Sequence, residues 1–134
     1  MVGAGTSEEI AGRIIKQQYT SEDSEISRLK TMIRYIQQNF AEQVKLQQIA
    51  AAANISEREC LRCFKRTIGI SPIQYLLKYR VSLASQLLAD SDFTITEISD
   101  RTGFGNPSHF ARTFKSLMAR TPSEYRKEQQ NRTK

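Results

Sequence analysis

The stretch 60-CLRCFK-65 returns fifty residues later as 110-FARTFK-115, and 71-SPIQY-75 returns at the same offset as 121-TPSEY-125. Upstream of these segments the matching offset is 49, because the turn 103-GFGN-106 is one residue longer than its counterpart in the first copy. Each copy combines a short helix, a turn and a second helix whose apolar residues recur at helical spacing. The chain therefore contains a helix-turn-helix unit twice.

Capping residues mark the helix boundaries. Ser56 and Thr94 each have a glutamate three residues later, which is the spacing of a capping box. Ser71 and Pro72 are a cap and a first-turn proline, and they predict a linker helix that runs to about Ala89 and is roughly 27 Å long. No alternating strand pattern of useful length appears. The predicted fold class is all-α, with two helix-turn-helix subdomains joined by a long linker helix and about seven helices in total.

The expected organisation divides the chain into five segments. In the first, residues 8–19 carry apolar side chains at roughly helical spacing, which fits either the end of an upstream domain or an ordinary leading helix. The predicted segments are a leader or remnant of an upstream segment at 1–23, the first helix-turn-helix unit at 24–70, the linker helix at 71–89, the second unit at 90–127 and a polar tail at 128–134.

Composition and charge narrow the class of protein. The chain has 134 residues, and 39% of them are apolar, which is enough for a core. Residues 1–30 carry four basic and five acidic side chains, net −1, whereas residues 31–134 carry sixteen and nine, net +7. Such a basic domain predicts a polyanionic partner, nucleic acid above all. With two cysteines, no signal-peptide pattern and no membrane-length apolar run, we expect a cytoplasmic protein.

Cys60 and Cys63 admit three interpretations: a redox pair, half of a metal site, or core residues. A redox pair would normally belong to a βαβ context, which this sequence lacks. A metal site would need His109, which the repeat assigns to the other half of the protein. Phe110 and Thr113 occupy the equivalent positions in the second copy and have no thiol chemistry. We therefore interpret the cysteines as core residues and predict neither an enzyme nor a bound cofactor.

A pattern of apolar, glycine, proline and basic positions extends from about residue 27 to residue 126. Its residues are Ile49, Ala50, Ser56, Phe64, Lys65, Gly69, Pro72 and Tyr75 in the first half, Arg80, Ala84, Leu87 and Leu88 in the linker, and Ile98, Gly103, Phe104, Ser108, Phe110, Arg112, Phe114, Lys115, Pro122, Tyr125 and Arg126 in the second half. With this pattern the sequence resembles the DNA-binding domain of the AraC/XylS transcription regulators. Ser99 replaces the family's usual alanine and Ala119 its usual glycine, departures that concern packing.

The resemblance implies that two recognition helices, at about 57–67 and 107–118, enter successive major grooves on one face of the duplex. One turn of DNA is roughly 34 Å, which a 27 Å rod and its packed units can bridge. Arginine can form two hydrogen bonds to guanine, and leucine can contact a thymine methyl group. The expected base-reading residues are Arg58, Leu61 and Arg62 in the first unit and Asn106, Ser108, His109 and Arg112 in the second, with phosphate contacts from Lys65, Arg66, Lys115 and Arg126.

The expected partners are double-stranded promoter DNA and RNA polymerase, with which a regulator must communicate, and no membrane. An alternative function is a helical protein-interaction adaptor of the transcription machinery without its own sequence readout. The duplicated cationic faces argue against that as the sole role. Members of the family usually carry a separate effector or dimerisation domain, which does not fit within this chain, so a small stand-alone regulator and a fragment are both expected possibilities.

Overall fold

The computed structural model describes residues 24–132, and all regular structure in that range is helical. This confirms the predicted all-α fold with two helix-turn-helix units and a long linker helix. The helical spacing expected at residues 8–19 lies outside the described residues. The helices are α1 at 24–39, α2 at Leu46–Ala52, α3 at Glu57–Ile68, α4 at Pro72–Asp90, α5 at Ile95–Arg101, α6 at Pro107–Met118 and α7 at Pro122–Arg132.

The predicted caps largely form, with one difference. Thr94 Oγ1 accepts from the Glu97 backbone N–H at 3.1 Å, and the Glu97 carboxylate accepts from the Thr94 N–H at 3.1 Å, which completes the expected capping box. Ser56 Oγ accepts from the Glu59 N–H at 3.1 Å, but the Glu59 carboxylate lies 3.7 Å from the Arg66 guanidinium. The first box is therefore only half formed, because the Glu59 carboxylate interacts with a cation about two helical turns further along α3.

The second turn has one more residue in the left-handed backbone region than the first turn. In the first turn only Asn54 has a positive φ, at 56°. In the second, Gly103 and Gly105 have φ values of 87° and 68°. Gly105 is thus the inserted residue, and its left-handed conformation returns the chain to the start of α6 without the steric cost that a side chain would bring.

Two hydrophobic cores lie on either side of α4, one in each unit. The linker helix contributes its early residues to the first core and its later residues to the second. The first contains Met32, Ile36, Val44, Ile49, Ala50, Cys60, Cys63, Phe64 and Leu76, and the second contains Val81, Ala84, Leu88, Ile98, Phe104, Phe110 and Phe114.

Helical spacing in the sequence predicts that Ile68 and Leu117 face inward, but both are exposed. Ile68 is 39% exposed and Leu117 is 42% exposed. Both lie in the last turn of their helices, beyond the buried Phe64 and Phe114, where the neighbouring elements no longer cover the helix. Helical spacing assigned them correctly to the apolar side of their helices but could not show where the covering elements end.

Candidate nucleic-acid interface

The α3 helix separates a buried face from a cationic face. Cys60, Cys63 and Phe64 are almost completely buried, and this fixes the rotation of the helix. The opposite side consists of side chains that are all exposed, namely Arg58, Leu61, Arg62 and Lys65. Ser56 caps the start of the helix, and Gly69 ends it with a left-handed conformation. The three residues predicted to read bases therefore share one solvent-facing surface.

The α6 helix repeats this arrangement. Phe110 and Phe114 are fully buried, and their burial turns Arg112 and Lys115 outward. Because the offset between the copies is 50, these two cations occupy the same positions in α6 that Arg62 and Lys65 occupy in α3. Each unit thus presents an arginine and, one turn later, a lysine on the exposed side of its second helix.

Asn106 forms the cap of α6. Its Oδ1 accepts from the backbone N–H groups of Ser108, at 2.8 Å, and His109, at 3.1 Å. These bonds satisfy donors at the first turn that have no partner within the helix. The side-chain oxygen of Asn106 is therefore engaged, and its NH₂ group is the part that could contact a base.

His109 lies at the edge of the exposed surface and is half-buried. Its ring meets the Phe104 ring edge to face, with 5.4 Å between the ring centres. Phe104 is itself buried in the second core. The position of His109 is thus fixed by packing against the turn, and only part of the imidazole is presented to the outside.

The four predicted phosphate contacts have different surroundings. Lys65 and Lys115 are exposed. Arg66 is exposed as well, but its guanidinium lies 3.2 Å from Glu25 and 3.7 Å from Glu59. Arg126 is half-buried and turned inward, because its side chain donates to two backbone carbonyl groups at the end of α4, those of Leu88 (3.1 Å) and Ser91 (3.2 Å).

Two adjacent depressions lie beside α4. The first, of about 500 Å³, lies between α3 and the start of α4, and the second, of about 340 Å³, reaches α6. Ile70 and Gln74 line both depressions, and Lys78 lines the second together with Arg112. Neither Gln74 nor Lys78 is among the residues predicted from the sequence to contact DNA. Their four-residue spacing on the exposed side of the linker helix was the available signal.

The cysteines belong to the core of the first unit. Burial, followed by the nearby Cys63 and Glu57, raises the pKa of Cys60 to about 11. Burial is also the main cause of the raised pKa of Cys63. Both thiols therefore stay protonated at neutral pH, unlike a reactive thiolate. Among residues 24–132 no cluster of three or more His, Cys, Asp and Glu side chains could hold a metal ion, and no helix there could span a membrane.

Comparison with known sequences identifies relatives of this domain. A family model described as a helix-turn-helix domain matches residues 49–128. The uncharacterized HTH-type transcriptional regulator YdeC of Bacillus subtilis is 35% identical over 100 residues, which are 75% of this chain and 34% of YdeC. The HTH-type transcriptional activator RhaS of Klebsiella pneumoniae is 31% identical over 100 residues, 75% of this chain and 36% of RhaS. The chain therefore spans about a third of the length of these relatives.

Solved structures share the fold. A regulator with an AraC-type DNA-binding domain from Chromobacterium violaceum has a TM-score of 0.72 and 29% identity, over 77% of this chain and 92% of that one. The DNA-binding domain of AdpA, solved in complex with a target DNA, has a TM-score of 0.74 and 30% identity, over 78% and 94%. The chain belongs to the AraC/XylS family of transcription regulators, and its two helix-turn-helix units form the DNA-binding domain of that family.

Proposed function

We propose that this protein recognises specific sequences in double-stranded promoter DNA by placing α3 and α6 in successive major grooves on one face of the duplex. The observation that carries the proposal is the repeated pair of exposed cations, Arg62 with Lys65 on α3 and Arg112 with Lys115 on α6. A 19-residue linker helix separates the two units. At 1.5 Å per residue it is about 28 Å long, which suits grooves one turn, or about 34 Å, apart.

In the first unit, Arg58, Leu61 and Arg62 read the bases. An arginine guanidinium can donate two hydrogen bonds to O6 and N7 of guanine, a contact that the other base pairs do not offer in the major groove. Leu61 is 43% exposed although it is a large apolar residue, and a thymine methyl group would cover it. The resulting site on the DNA combines a guanine contact with an apolar contact.

In the second unit, Arg112 provides the corresponding guanine contact, and Ser108, His109 and the NH₂ group of Asn106 supply further hydrogen bonds. Arg112 is fully on the exposed side, whereas His109 is partly covered by Phe104. The contacts of the second helix therefore centre on Arg112. Because the two units present different side chains, one molecule reads an asymmetric sequence.

Phosphate contacts come first from Lys65 and Lys115, and they set the position of each helix without reading sequence. Arg66 joins them by leaving Glu25 and Glu59, and exposed ion pairs of this kind contribute only ~0–1 kcal/mol. We leave Arg126 out of this set because its guanidinium holds carbonyl groups of α4. Each phosphate that is neutralised should make the affinity fall more steeply with salt.

In the cell, we infer that the domain acts on the bacterial nucleoid in the cytoplasm and contacts RNA polymerase beside its DNA site. RhaS is named as a transcriptional activator, and activation is the direction of control that we propose here by likeness. An effector or dimerisation function belongs to a domain other than the two units described, because both units are occupied by DNA in this account.

Selection from a random double-stranded DNA library tests the proposal. Arg62→Ala should relax the preference at one base pair and weaken specific binding by ~1–3 kcal/mol. Arg34→Ala is the matched control, since it removes the same charge from an exposed position on α1. An unchanged preference in Arg62→Ala, or equal losses in both variants, would contradict the assignment. Capture of RNA polymerase subunits without any DNA enrichment would support the adaptor alternative.

A further inference from the structure

Arg80 of α4 is a charged side chain inside the protein, with only 7% of its surface exposed. Its Nε donates to the carbonyl oxygen of Phe40 at 2.9 Å, and its Nη2 donates to that of Glu42 at 2.8 Å. Both acceptors lie just after the end of α1, in the first unit. A buried guanidinium needs acceptors for its N–H groups, and these two hydrogen bonds hold the end of α1 against the linker helix.

The turn of the second unit closes on the same atoms. A Cβ placed on Gly103 would lie 2.1 Å from the Phe40 carbonyl oxygen, 2.9 Å from Arg80 Nε and 3.0 Å from the Cα of Ala41. These distances are far below van der Waals contact, so only glycine allows the approach. The backbone of the second turn and the end of α1 therefore meet directly beside Arg80, although they are about sixty residues apart in sequence.

The junction continues to the start of the second recognition helix. The guanidinium carbon of Arg80 lies 5.7 Å from the centre of the Phe104 ring, a distance suited to a cation–π contact. Phe104 also contacts two rings of α6, those of His109 in the first turn and of Phe110, with 5.4 and 5.1 Å between the ring centres. A chain of contacts thus runs from Phe40 through Arg80 and Phe104 to His109, joining the first unit to the base-reading end of α6.

We propose that the junction of Arg80, Gly103 and the Phe40 carbonyl group fixes the distance and rotation between α3 and α6, and so selects the spacing of the two DNA half-sites that one molecule can bind. The inference rests on the proposed two-groove function. Changing the spacing by one base pair moves one half-site by about 3.4 Å and turns it by about 35°. A rigid protein cannot follow such a move, whereas loosely connected units can. Arg80 and Gly103 are positioning residues in this account.

The test compares Arg80→Gln and Gly103→Ala with the wild-type protein in selection from random duplex DNA, scored for the spacing between the two enriched blocks. The wild type should enrich one spacing, and on defined duplexes it should lose roughly tenfold or more in affinity when the spacing changes by one base pair. Both variants should enrich the same two blocks at several spacings, with a loss below roughly threefold per base pair. Variants that keep the single spacing of the wild type would overturn the inference.

Arg126→Gln is the matched control. Arg126 also donates two hydrogen bonds to backbone carbonyl groups, but it connects α7 with α4 inside the second unit. Its loss should lower thermal stability and leave the preferred spacing unchanged. If Arg126→Gln broadens the range of enriched spacings as much as Arg80→Gln does, a general loss of stability explains the effect. The junction then has no specific role in selecting the spacing.

A distance measurement without DNA decides the matter independently. Spin labels at Thr67→Cys on α3 and Ser116→Cys on α6 occupy exposed positions, while Cys60 and Cys63 are buried. Double electron–electron resonance should give one narrow distance in the otherwise wild-type protein and a broad distribution in Arg80→Gln. A broad distance distribution in the spin-labelled protein that is otherwise wild type would overturn the inference, even if both junction variants fail to fold. Absence of any enriched sequence would instead count against the proposed function and leave this measurement valid.

Discussion

Ser99 is fully buried in the second unit, and among the described residues its hydroxyl is the one buried side-chain group that lacks a hydrogen-bond partner. The equivalent position in the first unit is Ala50, which is also buried. Ser99→Ala should therefore raise the free energy of unfolding by about 1 kcal/mol, because the desolvated hydroxyl is removed without leaving a large cavity.

Urea unfolding measures this change, and Ala50→Ser provides the reverse experiment in the other unit, with a comparable loss expected. An unchanged or lower stability of Ser99→Ala would mean that the hydroxyl has a partner, such as a carbonyl group of the preceding turn, in solution.

The buried thiol of Cys60 makes stability depend on pH at the alkaline end. Its pKa is about 11 in the folded protein, against an ordinary value of 9.0. Between these values the unfolded chain loses the thiol proton while the folded protein keeps it, so stability falls as pH rises. From pH 9 to pH 10 this one group should lower the free energy of unfolding by roughly 1 kcal/mol.

The measurement is urea unfolding at pH 8, 9 and 10 for the wild-type protein and for Cys60→Val. The variant lacks the titrating group, so its stability should fall less over the same range. Parallel pH dependences in the two proteins would show that Cys60 has no raised pKa and would reopen the question of thiol chemistry at this position.

The orientation of some single residues could be predicted from the sequence, and that of others could not. Burial of both cysteines followed from helical spacing and from the apolar or small residues at their repeat-equivalent positions. The inward orientation of Arg126 could not be predicted from the sequence, because its hydrogen-bond acceptors are backbone carbonyl groups more than thirty residues away. Every residue has a carbonyl group, so such a bond leaves no mark in the sequence.

At the level of elements, Asn106 caps α6 and, in our proposal, also contacts a base. Asn106→Ala removes the cap and should cost about 1 kcal/mol of stability. Asn106→Ser keeps an oxygen for the cap and introduces no charge, so its stability should stay close to that of the wild type. It lacks the NH₂ donor, however, and should relax the base preference at one position of the half-site bound by α6.

Thermal unfolding and DNA selection with the two variants separate these tasks. If Asn106→Ser keeps both the stability and the base preference of the wild type, Asn106 is a cap alone. If Asn106→Ser loses as much stability as Asn106→Ala, the hydroxyl does not replace the amide oxygen, and the cap assignment at this position is wrong.

The helices themselves were largely predictable, because their boundaries depend on local chemistry. Ser71, Pro72 and Thr94 mark starts that the structure confirms. The exposed Ile68 and Leu117 were placed wrongly, since burial depends on elements distant in sequence. The contact between the end of α1 and the second turn was not predicted. It brings the Phe40 carbonyl group close to Gly103, and the rest of the first unit and the linker helix lie between these residues in the sequence.

For the whole molecule, the internal repeat was the most informative feature of the sequence. It predicted two similar units on either side of one long helix, and the structure has one core for each. The repeat could not predict how the units are oriented, because the contact between Gly103 and the end of α1 joins one unit to the other through a backbone carbonyl group, which leaves no mark in the sequence. In our proposal this orientation determines which spacing of DNA half-sites the molecule can read.

We propose that one molecule reads two successive major grooves through α3 and α6. Selection from a random duplex library with the wild-type protein, followed by sequencing of the bound DNA, tests it most directly. We expect an asymmetric motif of two short blocks whose centres lie about 10 base pairs apart. A motif with a single block, or no enrichment of any sequence, would contradict it.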